Sequence, residues 1–236
     1  LLNLRFNMLI MAVNTQQYQI IQNELLKDQV QLVAVSKTKP NEDLQALYDL
    51  GQRAFGENYV QELVDKEASL PKDIQWHFIG HLQSNKVKYI APFVHLIHGV
   101  DTEKLLQEIN KQAIKQNRII DCLLQIHIAT EETKFGFDGP ALHELLMSGR
   151  LSSYSNIRIR GLMGMASFSE DQALLSQEFT TLKMYFDKAQ PAFPDGTFNT
   201  LSMGMSSDYG LAITKGSTMV RIGSLLFGAR NYPAPK

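Results

Sequence analysis

Lys37 in LVAVSKTKP, and the glycine- and serine-bearing turns of TLSMGMSSDYGLAITKGSTMVRIGSLLFG, are the residues of this chain best suited to chemistry. Lys37 directly follows a short apolar run. A lysine amine becomes a nucleophile toward carbonyls, forming a Schiff base, once desolvation or a neighbouring cation lowers its pKa. Downstream, Ser202, Gly204 and Ser206 precede a helix, and Gly223 and Ser224 belong to the last apolar run, beside Arg221. Backbone N–H groups and serine hydroxyls in such turns hold an anion readily. A reactive amine facing a phosphate cradle points to a bound aldehyde phosphate. Each residue also has a plain structural reading: Lys37 as a solvated lysine, Ser206 as a helix cap, Gly204 as a turn glycine. Their position on adjacent strand ends favours the phosphate. Arg221 lies inside the apolar strand TMVRIGSLLF and cannot easily lose its proton. It must be ion-paired or face a polar interior, where it could donate to a ring nitrogen or a carboxylate.

Other chemistries find less support. His77 and His81 are four apart, but WHFIGHL reads as strand and turn, so the spacing does not place them on one helical face. No HExxH, CxxC or carboxylate cluster argues for a metal, no GxSxG for a serine nucleophile, and no GxGxxG for a dinucleotide. The remaining polar residues at strand ends are Glu57 and Asn58, His81 and Asn85, Lys134, and Ser167. Lys39 reads as a surface residue.

The elements that must position these residues are short apolar runs alternating with helical segments, the signature of parallel β/α units. The runs are Leu32 to Ser36, Arg53 to Gly56, Gln75 to Ile79, Leu96 to Val100, Cys122 to Ala129, Ile157 to Met165, Phe198 to Met203 and Met219 to Phe227. Between them, Asn41 is expected to cap a helix with Leu44, Leu47 and Tyr48 inward and Gly51 at its end. A longer helix from about Glu170 carries Leu175, Phe179, Leu182 and Phe186 on one stripe. Gln16 to Lys27 reads as one more helix, closing the bottom of a barrel or packing on its side. Eight such units favour an α/β fold with a single closed (β/α)8 TIM barrel over an open sheet. Function in such a barrel sits at the carboxyl ends of the strands.

The 236 residues, 44% hydrophobic and 20% charged, suffice for one large core. A net charge of −1 provides no footprint for nucleic acid. No run approaches the roughly 20 apolar residues of a membrane span. Cys122 is the only cysteine, reads as a buried inert thiol, and fits a cytoplasmic setting. Residues 1–10 read as an irregular N-terminal extension, with the barrel domain over 11–236.

VAVSKTKP, FGENYVQE, WHFIGHLQSNK, ETKFGF, GLMGMA, LSMGMSSDYGLAI and STMVRIGSLLFG together resemble the pyridoxal phosphate homeostasis proteins, which are similar to the barrel domain of alanine racemase. The resemblance runs from about Gln16 to Arg230, with one departure: His127 stands where many relatives carry asparagine. It implies pyridoxal 5′-phosphate (PLP) as cofactor, bound to Lys37 as a Schiff base. Ser202, Gly204, Ser206 and Gly223 would lie around the phosphate and Arg221 would face the pyridine nitrogen. Asn58 and His81 would be wall residues, and Lys134 would sit at the rim. It further implies a monomeric, non-catalytic protein that buffers PLP or delivers it to apo forms of PLP-dependent enzymes. The eighth strand lies close to the end of the sequence, so the second domain of the racemases is not expected, and Tyr209 is expected to pack rather than act as a base. The rivals are a PLP-dependent amino-acid racemase and a cofactor-free barrel enzyme acting on a sugar phosphate through Lys37.

Overall fold

The computed structural model describes residues 13–131 and 135–228. The chain alternates strands and helices in the order α1 (Thr15–Lys27), β1 (Gln31–Val35), α2 (Asn41–Asp49), β2 (Ala54–Glu57), α3 (Val60–Ser69), β3 (Gln75–Phe78), α4 (Val87–Ile90), β4 (Leu96–Val100), α5 (Glu103–Lys115), β5 (Ile120–Ile126), α6 (Gly139–Met147), β6 (Ile157–Gly164), α7 (Gln172–Ala189), β7 (Thr200–Ser202), α8 (Tyr209–Thr214), β8 (Met219–Ile222) and α9 (Ser224–Phe227). The eight strands pair in sequence order, all parallel, and β8 closes on β1 through the register Gln31↔Met219 to Ala34↔Ile222. The expected TIM barrel is the observed one. The postulated extension at residues 1–10 lies outside the described residues.

Alternation along each strand sorts the core into two shells. Leu32 and Ala34, Trp76 and Phe78, Leu201, and Val220 and Ile222 belong to the large apolar cluster shared with the helices, while Val33, Ala54, Leu96, Leu123, Met163 and Met219 form a separate one. The same parity gives His77, His98, Ser202 and Arg221 to the barrel interior. All four are buried. On α7, Leu175, Phe179, Leu182 and Phe186 are buried as the stripe requires, and Asp171 caps the helix by accepting from the N–H groups of Ala173 and Leu174. Helix α1 is capped by Asn14, whose Oδ1 accepts from Gln17 N–H at 2.9 Å, and packs against β1 and α9. Cys122 is fully buried, and burial pushes its thiol up.

Three expectations about boundaries need correction. Asn41 does not cap α2; it is the helix's first residue, after an extended Pro40, and no side-chain cap bond forms there. The fifth strand starts at Ile120 and stops at Ile126, which leaves His127 beyond it, with Nε2 2.9 Å from Glu131 O. The last strand ends at Ile222, and SLLF is helix α9, with Leu226 N–H and Phe227 N–H both donating to Gly223 O at 2.9 Å. Only Gly223 and Ser224 separate the apolar residues on either side of this junction, so periodicity alone could not locate the change.

Candidate cofactor site

At the carboxyl end of the barrel a cavity of about 530 Å³ is lined by Lys37, Lys39, Asn58, Ser206, Ser207, Arg221, Gly223 and Ser224, with Val35, Ile79, Met165 and Phe168 supplying apolar wall. That volume falls in the usual range of small-molecule sites, roughly 300–1,000 Å³. A groove of similar size, about 540 Å³, runs past Thr15, Glu42, Asp49 and Leu50, but it has no basic side chain and two acidic ones. Its charge is wrong for a phosphate.

The first wall comes from β1. Val35 lines the cavity, Ser36 is buried, and Lys37 is half-buried at the mouth. Thr38, next in line, takes a left-handed φ of 63°. This conformation costs a residue with a Cβ about 1–2 kcal/mol, so the turn needs support from outside. Lys39 is not the surface residue expected: its Nζ donates to Phe227 O at 2.6 Å, tying the β1 turn to α9, and it lines the cavity.

The opposite wall comes from β7, β8 and the turns after them. Gly204 has a φ of 95°, and a Cβ there would stand 2.7 Å from Ala212 Cβ and 3.0 Å from Tyr209 Cα, so this turn closes only on glycine. Asp208 Oδ1 accepts from Met205 N–H at 2.5 Å and fixes the loop. Ser206 Oγ then accepts from Gly223 N–H at 3.2 Å, joining the two turns into one polar edge. A Cβ on Gly223 would meet Val35 O at 3.2 Å, which keeps this edge close to β1. Tyr209 lies outside the cavity lining, with its hydroxyl donating to Glu24 Oε2 at 2.9 Å.

Arg221 forms the floor. It is buried, its Nη1 donates to Ser202 Oγ at 2.6 Å and its Nη2 to Gly164 O at 3.0 Å, and both acceptors are neutral. Burial pulls its pKa down to about 10, with the Asp208 carboxylate acting against that, so the guanidinium stays charged at neutral pH. Below it Ser202 Oγ lies 3.1 Å from His98 Nδ1, and His98 Nε2 lies 2.9 Å from His77 Nδ1. Burial lowers the pKa of both histidines, to about 3 for His77 and well below the ordinary value for His98. Their rings are therefore neutral, and a polar file from the cavity floor into the barrel carries one net charge, at Arg221.

Of the residues picked out in the sequence, Lys37, Asn58, Ser206, Arg221 and Gly223 come together around this cavity. Ser202 does not join them: it is fully buried beneath Arg221. Gly204 shapes the turn from behind and accepts from Arg221 N–H at 3.0 Å. His81 turns outward into a neighbouring recess of about 360 Å³, stacks on Phe135 with ring centroids 4.1 Å apart, and pairs with Asp101. Lys134 lies outside the described residues. Sequence reasoning missed Lys39, His98 and the exposed rim residue Phe168. The inward parity of His98, the same as that of Arg221, was the available signal for one of them.

The donor set fits PLP. Lys37 offers an amine for the aldehyde, Arg221 and Lys39 bring positive charge, Ser206, Ser207 and Ser224 bring hydroxyls suited to a phosphate, and Asn58 Oδ1 is buried without a partner in the described residues. The chain matches the family model described as alanine racemase, N-terminal domain, over residues 14–231. A pyridoxal phosphate homeostasis protein from Pasteurella multocida is 39% identical over 221 residues, covering 92% of this chain and 93% of that one. Its counterpart from Aquifex aeolicus is 41% identical over 202 residues, covering 85% and 87%. The structure of PipY from Synechococcus elongatus with PLP bound superposes with a TM-score of 0.81 at 34% identity, covering 90% of this chain and 99% of that one. With a closed eight-stranded barrel, a lysine at the end of β1 and near full-length identity of this order, the chain belongs to the pyridoxal phosphate homeostasis protein family.

Proposed function

We propose that this protein binds PLP reversibly, holding it through Lys37 as a Schiff base, and serves to buffer the cofactor or pass it to apo-enzymes. The observation that carries the reading is the convergence of Lys37, the Ser206–Gly223 edge and Arg221 on one cavity. When bound, the cofactor supplies an aldehyde and a pyridine ring whose power to withdraw electrons depends on a proton at its nitrogen. Lys37 would hold the cofactor by its amine, condensing with the aldehyde as one water is released. Ser206, Ser207 and Gly223 bind the phosphate, with Gly204 shaping the turn. Asn58 contributes wall.

Arg221 supports a role in holding rather than transforming the cofactor. Facing the ring nitrogen, it donates a hydrogen bond and, as a cation, disfavours protonation there. Ser202 holds Arg221 in place. The ring is then a weak electron sink, so carbanion chemistry of the racemase kind is poorly served. His81 belongs to the outer wall, and the single buried thiol, Cys122, suits a reducing, cytoplasmic setting.

The test is the visible absorption spectrum of the protein titrated with PLP beside Lys37→Ala. A Schiff-base band in the wild type and its complete loss in the variant are expected. Absence of the band in both would remove the cofactor reading and leave a sugar phosphate as the better candidate. Incubation with L-alanine is expected to leave its optical rotation unchanged; loss of rotation at enzymatic rates would restore the racemase.

A further inference from the structure

We propose that Lys66 on α3, with Glu57 and Glu62, is the positioning clamp of the cofactor-bearing lysine, fixing the backbone on both sides of Lys37. This inference rests on the reading of Lys37 given above. None of the three side chains lines the cavity. Lys66 is buried, and its ammonium has three acceptors: Ser36 O at 2.8 Å, Glu57 Oε1 at 2.8 Å and Glu62 Oε1 at 2.7 Å. The same two carboxylate oxygens then reach the residues flanking Lys37. Ser36 Oγ donates to Glu57 Oε1 at 2.6 Å, and Thr38 N–H donates to Glu62 Oε1 at 2.6 Å. One ammonium and two carboxylates thus hold the residue before Lys37 by its carbonyl and hydroxyl, and the residue after it by its N–H.

Two features separate this arrangement from an ordinary structural ion pair. First, it holds an unfavourable backbone: Thr38 is left-handed, and the Glu62 carboxylate on its N–H opposes relaxation of that turn. Second, the arrangement is costly. Glu57 is fully buried, its Oε2 has no partner in the described residues, and burial raises its carboxyl pKa despite Lys66 beside it. Buried ion pairs of this kind are often replaceable by apolar residues at no loss of stability. Here three of the five hydrogen bonds end on Ser36 or Thr38, while two join the charged side chains to one another. Placement of the Lys37 turn is what the network achieves.

Glu62 is the most accessible member, with its side chain 23% exposed, so Glu62→Ala tests the clamp with the least damage to the core. Lys66→Met and Glu62→Gln complete the set, the last retaining an oxygen that accepts from Thr38 N–H. Two quantities are measured: the rate at which the Schiff-base band forms with PLP, and the dissociation constant of pyridoxine 5′-phosphate, an alcohol that cannot condense with an amine. Glu62→Ala and Lys66→Met are expected to slow band formation about 10- to 100-fold, the range that misplacement of a reacting group produces. Affinity for the alcohol should be unchanged, and Glu62→Gln should restore the rate. An unchanged rate in folded Glu62→Ala overturns the clamp, as does a parallel fall in alcohol affinity, which marks general damage to the cavity. Should Lys66→Met fail to fold, Glu62→Ala carries the test. Failure of the underlying reading looks different: the wild type itself would show no Lys37-dependent band.

Discussion

Acidification from pH 6.5 to 4.5 is expected to remove about 2 kcal/mol of folding stability for each buried histidine that stays neutral, His77 foremost with His98 beside it, a sizeable share of the roughly 5–15 kcal/mol typical of a domain. An unfolded imidazole takes up a proton as the pH falls below about 6.5. Folded His77 does not do so until about pH 3, because burial penalises its charged form and His95 adds repulsion. His98 is likewise held well below its ordinary value, first by burial and then by His77 and Arg221 beside it. The unfolded state therefore binds more protons than the folded one throughout this window. Stability that is complete above pH 6.5 declines by about 1.4 kcal/mol per pH unit for each histidine that stays neutral.

Two buried carboxyls near the barrel mouth work in the opposite direction. Burial raises the carboxyls of Glu57 and Asp208, and such groups add stability on acidification, as does Asp43 on α2. Glu57 and Asp208 each have a nearby cation and a hydrogen-bond donor that limit the rise: Lys66 and the Ser36 hydroxyl for Glu57, Arg221 and Met205 N–H for Asp208. The two histidines have no anion to offset their desolvation. Urea unfolding at pH 7, 5.5 and 4.5 measures the slope, beside a double variant, His77→Gln with His98→Gln. The wild type should lose stability steeply and the variant much less. A wild type whose midpoint hardly moves across this range would sink the argument, since it would mean the barrel admits the protons.

The same file of side chains shows what was legible in the sequence. Strand ends and single residues were: Lys37 after an apolar run, Arg221 inside one, and glycine with serine after β7 and β8 all carry local signals. The barrel followed from counting eight apolar runs. Contacts between strands were not legible, because they depend on register and closure. Ser202 was read as a phosphate ligand from its neighbours in sequence, yet its inward parity on β7 puts it under Arg221 and against His98, 104 positions away. Lys66 carries no local signal of its role, which arises only because α3 folds it over β2 and the β1 turn. Lys39 was read as exposed because nothing local revealed that α9 would bring Phe227 O to it. Local chemistry was visible, whereas second partners supplied by closure were not.

The largest single-residue effect is expected from Gly161→Ala, at more than about 4 kcal/mol of destabilisation, the range reserved for backbone clashes and core disruption. Gly161 is paired with Thr200 of β7 and has a φ of 152°, and an added Cβ would stand 1.8 Å from Thr200 O. The obstacle is backbone, so no rotamer change relieves it, and β6 and β7 must part. The position also marks an irregularity: Cys122 pairs with Ile159 and Leu123 with Gly161, so Arg160 is an extra residue in β6. A bulge of this kind resets which side chains and carbonyls face inward. Downstream of it Gly164 presents the carbonyl that receives Arg221 Nη2. Disturbing Gly161 thus reaches the cavity floor as well as the barrel wall. Gly149→Ala is the control: it too is left-handed, with a φ of 70°, but nothing lies within 4 Å of its would-be Cβ. It should cost only the conformational term, about 1–2 kcal/mol. Denaturant unfolding of the two variants separates the contributions, and equal losses would show that the close approach of Thr200 O is not the source of the constraint.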